Sequence, residues 1–250
     1  MEYQRFRMDP RLAGAIGPIA AEPAGQDLME RLRSLVETAP ASPTGEHLAE
    51  AVAAYRHLLD HVGDQGLPLT SANYLKPADV RVVAEGLPSM TEWIFPITRE
   101  VNVHPVHGFR VSAERLGLIR RRQGSLTLTR AGRSARSDPR ALWEHLRQRL
   151  LPSTPTFDAT AGTIVALHQA TAPGSTLDTQ DIAHTLTSLG WSHAGGHPVL
   201  KDDVIAVRNV LWDCIGNIGA WAGTTWDQRL SREAVALIRD ALVTQVPLEG

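Results

Sequence analysis

The chain has 250 residues, of which 43% are apolar and only 5% aromatic, and its 25 basic and 27 acidic side chains leave a formal charge of −2. This length suits one large domain or two smaller ones, and the composition excludes a collagen, a coiled-coil rod and a disordered tail. No stretch approaches the roughly 18 apolar residues that a membrane-spanning helix requires, so we expect a globular protein without a membrane partner.

The cellular compartment is predicted from the cysteine count and the first residues. The single cysteine, Cys214, has no partner for an internal disulfide, so nothing in the sequence indicates an oxidising compartment. Glu2 and Asp9 lie among the arginines of residues 1–11, and the apolar stretch 12–21 is interrupted by two glycines and a proline. This is not the pattern of a secretory signal, and we expect a cytoplasmic location.

Charge is distributed unevenly along the chain. Residues 110–150 contain eleven arginines and three acids, a net charge of +8, whereas the other 209 residues contain 14 basic and 24 acidic groups, a net charge of −10. A basic block of this kind is typical of a contact with a polyanion. The alternative interpretation is a solvated, arginine-rich face on an ordinary helical domain.

The first 66 residues are predicted to be an arm followed by helices. Residues 1–26 show no sustained periodicity and are rich in Gly, Pro and Ala, so we expect an irregular or partly ordered arm there. Helices are predicted over 27–38 and 46–62, separated by a loop at 39–43 that contains two prolines.

Residues 67–150 follow the plan of a winged helix-turn-helix module. A helix is predicted over 77–86, and a second over 104–117, where apolar residues recur every three or four positions and His107, Arg110, Glu114 and Arg115 are expected to point outward. Two short strands around Gln123-Gly124-Ser125 predict a hairpin, which would be the wing, and helical turns over 130–136 and 139–150 follow.

A second, winged-helix-like module is predicted over 156–246. The two prolines in residues 151–155 indicate a linker. Beyond it, apolar positions repeat those of the first module at offsets of 102 and 99 residues, with Val204, Val207, Leu211 and Cys214 as the stripe of the helix that would correspond to 104–117. The wing would lie at 219–230 and the closing helix at 231–242. The predicted fold class is therefore mainly α with short β-hairpin wings, in tandem winged helix-turn-helix modules.

Two strings of residues resemble a known family. They are Leu69-Thr70-x-x-Asn73-Tyr74-Leu75-x-Pro77 and Leu116-Gly117-Leu118-Ile119-Arg120-x-x-x-Gly124-x-Leu126-x-Leu128-Thr129-x-x-Gly132-Arg133. They resemble the C-terminal region of the plasmid ORF-three-like family of bacterial mobile-element proteins, and the Leu-Thr-x-x-Gly-Arg ending also follows the wing in many winged-helix regulators. The resemblance implies a winged fold and a bacterial setting, and it carries over no catalytic residue.

Seven arginines of the first module are candidate ligands for duplex DNA: Arg110, Arg115, Arg120, Arg121, Arg122, Arg130 and Arg133. The first two would enter a major groove about 12 Å wide, and the others would contact flanking phosphates. We expect non-catalytic DNA binding, unless acids of the N-terminal segment such as Glu46 or Glu50 fold over the arginines. The alternative is a protein-interaction scaffold of the same fold that binds an acidic partner or a second copy of itself.

The second module is not expected to bind DNA. Residues 174–245 carry a net charge of −3, and Asp202, Asp203 and Asp213 lie on the helix that would enter the groove. Trp221 and Trp226 in the candidate wing would either form a protein contact surface or pack into the core, and large aromatic side chains are mostly buried.

No catalytic signature is present in the sequence. The ten histidines include the pairs 57/61, 104/107 and 193/197, but a zinc site requires three or four converging ligands, and no cysteine pair or His-Glu-x-x-His string exists. No phosphate-binding loop or Gly-x-Ser-x-Gly string is found, and Cys214 lies on the apolar stripe of its helix. We therefore expect no metal, no cofactor and no enzymatic activity, with a metal-dependent hydrolase built on the histidines as the third-ranked function.

Overall fold

The computed structural model describes residues 5–152, 154, 156–172, 174, 176–220 and 229–246. These residues form mainly α-helices with two small antiparallel sheets, which confirms the predicted mainly α class with a short hairpin. The helices are α1 (Pro10–Ile16), α2 (Pro23–Thr38), α3 (Gly45–Ala51), α4 (Ala53–Val62), α5 (Pro77–Glu85), α6 (His104–Arg115), α7 (Arg130–Ser137), α8 (Pro139–Arg149), α9 (Phe157–Thr171), α10 (Thr179–Ser188), α11 (Lys201–Ile215) and α12 (Arg232–Leu242). The strands are β1 (Arg5–Met8), β2 (Leu67–Pro68), β3 (Ile119–Arg122), β4 (Ser125–Leu128) and β5 (Val243–Val246). Within the described ranges, no helix has both the length and the apolar character needed to cross a bilayer.

Residue contacts divide the chain into two compact units, each assembled from separate stretches. Unit 1 consists of Met1–Ala41, Arg149–Leu211 and Val235–Gly250, and unit 2 consists of Ser42–Gln148 and Trp212–Ala234. The predicted segments 1–66, 67–150 and 156–246 follow one another along the chain, whereas each of the two units combines parts of more than one predicted segment. Unit 2 joins α3 and α4 to the first predicted module and adds residues 212–234 from the second.

Unit 1 is built around α9. This helix is buried on every side, from Ala159 to Ala170 with the exception of Thr160, and it contacts α1, α2 and α10. A helix that is buried on all sides is expected to be mostly apolar, and Ala, Ile, Val and Leu occupy most of the buried positions of α9, although Thr163, His168 and Gln169 are buried there as well. The first described strand, β1, pairs antiparallel with the last, β5, with Arg5 opposite Val246 and Met8 opposite Val243.

The stretch 1–26, expected to be an irregular or partly ordered arm, contains regular secondary structure in its described part, residues 5–26. Strand β1, helix α1 and the first turn of α2 lie there. Asp9 caps α1 by accepting a hydrogen bond from the Arg11 backbone N–H at 2.9 Å, and Pro10 occupies the first helical position, where its missing N–H costs nothing. Because α1 has only seven residues and two of its buried ones are Leu12 and Ile16, the segment is too short to show a sustained periodicity.

Unit 2 contains an α-β-α-α-β-β succession formed by α4, β2, α5, α6, β3 and β4. Its three-stranded antiparallel sheet has the order β2-β4-β3, with Leu67 opposite Leu126 and Ile119 opposite Leu128. The predicted hairpin is present. Gln123 and Gly124 form its two-residue turn at φ values of 49° and 72°, and two successive positive φ angles are typical of the type I′ turn that matches the twist of the flanking strands.

The helices of unit 2 pack around the rings of Tyr55 and Phe109, whose centroids lie 4.6 Å apart in a fully buried pair. The predicted helices at 77–86 and 104–117 are confirmed as α5 and α6, each ending one or two residues earlier. The single helix predicted over 46–62 is divided at Val52, whose φ and ψ of −106° and 13° are not helical. The Tyr55 hydroxyl also donates to the Cys214 carbonyl at 2.7 Å, which fixes the end of α11 in unit 2.

Candidate nucleic-acid interface

The hairpin of unit 2 is anchored by the residues that follow it. Thr129 donates from its hydroxyl to the Gly117 carbonyl at 2.7 Å and accepts from the Gly132 backbone N–H at 2.9 Å, so it caps α7 and ties that helix to the chain before β3. Gly132 lies so close to the Leu118 carbonyl that a Cβ atom there would collide with it. The Leu-Thr-x-x-Gly string is thus explained by one buried leucine, one cap and one close backbone approach.

Six of the seven predicted arginines are exposed: Arg115, Arg120, Arg121, Arg122, Arg130 and Arg133. Side chains alternate between the two faces of a strand, so Arg120 and Arg122 share one face of β3 and Arg121 lies on the other. Arg121 reaches back to α6, where its Nε lies 3.0 Å from Glu114. Arg120, Arg122 and Arg130 have no ion-pair partner in the part of the chain that the structure describes.

The expectation that Arg110 points outward is wrong. Only 2% of Arg110 is exposed, its Nε donates to Glu100 at 2.5 Å, and its Nη1 pairs with Glu114. Position 110 lies one turn after the buried Val106 and beside the buried Phe109, so it belongs to the inner side of α6. Arg110 remains buried because a buried carboxylate forms an ion pair with it.

That acid, Glu100, was not singled out from the sequence. It is 0% exposed and lies in a short 3-10 turn before α6. Its carboxylate accepts from the Leu75 backbone N–H, from Arg110, and from His107, whose Nδ1 lies 2.9 Å away. Nothing local marks this residue, because its partners are 25, 10 and 7 residues distant in the sequence.

The outward face of α6 is partly covered by the last turn of α11. The Asp213 carboxylate lies against Gly108, so close that a Cβ atom at position 108 would collide with it. Arg115 donates from Nη2 to the Cys214 sulfur at 2.6 Å. Burial raises the pKa of Asp213 to about 6, against the opposing effect of the positive charges of His107 and Arg115. Asp213 therefore places an acid where the predicted groove-binding helix would approach DNA.

Acids of the N-terminal segment do reach the basic block, although Glu46 and Glu50, the two given as examples, are not among them. Asp64 lies 3.3 Å from Arg136 and 3.9 Å from Arg133, and Asp60 lies 3.8 Å from Arg136. Glu46 and Glu50 are exposed and pair with no arginine among the described residues, although Glu50 lies 3.4 Å from His47. The arginines that these N-terminal acids contact, Arg133 and Arg136, both belong to α7, and within the described ranges no N-terminal acid pairs with an arginine of β3.

Histidines of the predicted pairs 57/61 and 193/197 form hydrogen bonds with a backbone carbonyl and with carboxylates. His57 Nε2 lies 2.6 Å from the Val82 carbonyl, His61 lies 3.0 Å from Asp79, and His193 lies 2.8 Å from Asp203. Over the described ranges, no three His, Cys, Asp or Glu side chains come together as a metal site would require. Burial raises the pKa of the Cys214 thiol, which disfavours the reactive thiolate.

The second predicted module is described only in part. Of the predicted stripe on α11, Val204, Leu211 and Cys214 are buried and Val207 is only half-buried. Helix α12 matches the predicted closing helix. Most of the module's candidate wing at 219–230, including Trp221 and Trp226, lies outside the described residues. The second winged-helix-like module therefore stays a prediction.

Comparisons against family models, curated proteins and solved structures each found no match. The resemblance to the plasmid ORF-three-like family stays a prediction, and the functional assignment depends on the geometry of unit 2.

Proposed function

We propose that unit 2 is a winged-helix module that binds duplex DNA without catalysing a reaction. The winged-helix assignment is supported by the α-β-α-α-β-β succession and by the sheet order β2-β4-β3, in which the hairpin β3-β4 is the wing. The observation that carries the function is a set of exposed arginines that pair with no acid among the described residues: Arg120 and Arg122 on one face of β3, and Arg130 at the start of α7.

Guanidinium groups in this position suit the phosphates of a duplex. An arginine fork donates two hydrogen bonds to one phosphate, and each neutralised phosphate releases condensed counterions. Three such contacts give a slope of about −3 in the logarithm of the binding constant against the logarithm of salt concentration. Binding of this kind is expected at micromolar or weaker dissociation constants at physiological salt, roughly 10⁻⁴ to 10⁻⁶ M.

The test is the double variant Arg120→Ala/Arg122→Ala, measured by fluorescence anisotropy with a labelled duplex at several salt concentrations. We expect the affinity at low salt to fall by about tenfold or more and the salt slope to become less negative by about 2, since two phosphate contacts are removed. The control is Arg7→Ala/Arg33→Ala, which removes the same charge from exposed positions of unit 1. Equal losses in the two double variants, or an unchanged slope, would contradict the proposal.

A second candidate function, protein binding, is favoured by the loop between α5 and α6. Ile94 is 85% exposed and Phe95 is 62% exposed, with the Phe95 ring edge-on to Trp93 at a centroid distance of 5.4 Å. Adjacent exposed apolar side chains of this size are common where a protein partner docks. Sedimentation of the wild type and of Ile94→Ser/Phe95→Ser tests self-association: a wild-type dimer that becomes monomeric in the variant supports this candidate, and a monomer in both removes self-association.

A further inference from the structure

The charged side chains of α6 and His107 already have intramolecular partners. In a winged-helix module this is the helix that enters the major groove, where base edges are read by free donors and acceptors. Here Arg110 is buried on Glu100 and Glu114, His107 contacts Glu100, and Arg115 contacts the Cys214 sulfur. His104, Val111 and Arg115 are the exposed side chains on its outer face. Arg115 is engaged by the Cys214 sulfur, a valine donates no hydrogen bond, and His104 lies at the first position of the helix, one turn before Gly108.

The same helix face also carries an opposing charge. Asp213 occupies the space left by the missing side chain of Gly108, in the middle of α6. The acid is partly buried and lies beside the helix backbone, so a phosphate or a base edge approaching Gly108 would have to displace it. A carboxylate at this position repels phosphates and occupies the surface that a groove-reading helix needs.

We propose that the protein binds duplex DNA through its sugar-phosphate backbone alone and reads no base sequence, with Asp213 as the residue that keeps α6 out of the groove. This inference rests on the proposed function. Arg120, Arg122 and Arg130 supply affinity, and phosphate contacts fix register and orientation without distinguishing base pairs. Asp213 is thus a specificity-determining residue that acts by exclusion.

Selection from a pool of duplexes with a randomised centre tests the absence of base readout. The wild-type protein is equilibrated with the pool at low salt, and bound and free duplexes are sequenced. We expect no motif to be enriched by more than about threefold, because each base pair read directly contributes a discrimination of roughly five- to 150-fold. A motif enriched by tenfold or more overturns the inference.

The variant Asp213→Asn tests the role of the carboxylate, since it keeps the shape of the side chain and removes its charge. We expect it to bind every duplex more tightly, by about threefold at low salt, because one repelling charge near the phosphates is removed. The control Asp202→Asn removes the same charge from an exposed position at the start of α11. Binding by Asp213→Asn that is weaker than, or equal to, that of the control overturns the role of Asp213, and circular dichroism verifies that both variants are folded.

The outcomes separate this inference from the function on which it rests. If the wild type binds no duplex at low salt, or if Arg120→Ala/Arg122→Ala binds as well as its control, both the proposed function and the inference are wrong. If binding requires the two arginines but a motif is selected, only the inference is wrong.

Discussion

Replacing Glu100 by Gln removes the charge at the centre of the most buried polar cluster in unit 2. The carboxylate is 0% exposed and compensates Arg110, which is 2% exposed. Removing one partner of a buried ion pair typically costs about 3–5 kcal/mol, because the other charge stays buried without compensation. Glutamine keeps an acceptor for the Leu75 N–H, and Arg110 keeps Glu114 on the same helix, so we expect the low end of that range, a loss of about 3 kcal/mol in the free energy of unfolding.

Urea unfolding followed by circular dichroism measures this loss. The control is Glu85→Gln at the exposed end of α5, which we expect to change the free energy of unfolding by about 0.5 kcal/mol or less. The double variant Glu100→Gln/Arg110→Met removes both charges, and we expect it to be more stable than Glu100→Gln alone. A loss below about 1 kcal/mol in Glu100→Gln, or a double variant less stable than the single one, would refute this account of the cluster.

Two further substitutions test unit 1 and the base of the hairpin. His168 is 4% exposed, and its Nε2 has no hydrogen-bond partner among the described residues, although the Asp27 carboxylate lies 3.9 Å from it. Burial, assisted by the positive charge of Arg31 and opposed by Asp27, lowers the pKa of His168 from 6.5 to about 4. Because the folded pKa lies below the unfolded one, the stability contributed by neutral His168 is present above pH 6.5 and is lost as the pH falls toward 4. The free energy of unfolding is measured at pH 7 and pH 5 for the wild type and for His168→Leu. We expect the stability of the variant relative to the wild type to rise by about 2 kcal/mol between pH 7 and pH 5, because the variant has no histidine here to protonate on unfolding. The same change of stability with pH in both proteins would contradict this. Gly132→Ala should lose about 2 kcal/mol in urea unfolding because its Cβ would collide with the Leu118 carbonyl, whereas Gly14→Ala, whose Cβ would meet nothing within 4 Å, should lose none.

The elements that the sequence predicts well are those whose signals are local. Helix α6 combines a regular apolar stripe with Pro105 in its first turn, and the hairpin has glycine in the turn between two short strands. Strand β2 has no such signal, since it consists of Leu67 and Pro68 and exists only because β4 lies alongside it. The N-terminal strand β1 likewise depends on β5, more than 230 residues away in the chain.

The candidate site was harder to predict because burial of a charged side chain depends on distant partners. A helical periodicity that counts only apolar residues places Arg110 outside, although it lies one turn from Val106 on the inner face. Arg110 is buried because it pairs with Glu100, and no periodic pattern of apolar residues includes that acid. The outer face of α6 is partly covered by Asp213, which lies 105 residues after Gly108 in the sequence. Such contacts between charged groups are created by the fold and leave no trace in local spacing.

The internal contacts of these arginines change the salt dependence that is expected for DNA binding. If all seven predicted arginines bound phosphates, the salt slope would be about −6. The structure commits Arg110, Arg115, Arg121 and Arg133 to contacts within the chain, at distances of 2.5 to 3.9 Å. The other three of the seven, Arg120, Arg122 and Arg130, have no ion-pair partner among the residues that the structure describes. The expected slope is therefore about −3, so the net charge of +8 in residues 110–150 overstates the interface. A measured slope near −6 would mean that duplex binding breaks these internal contacts, and that α6 does enter the groove.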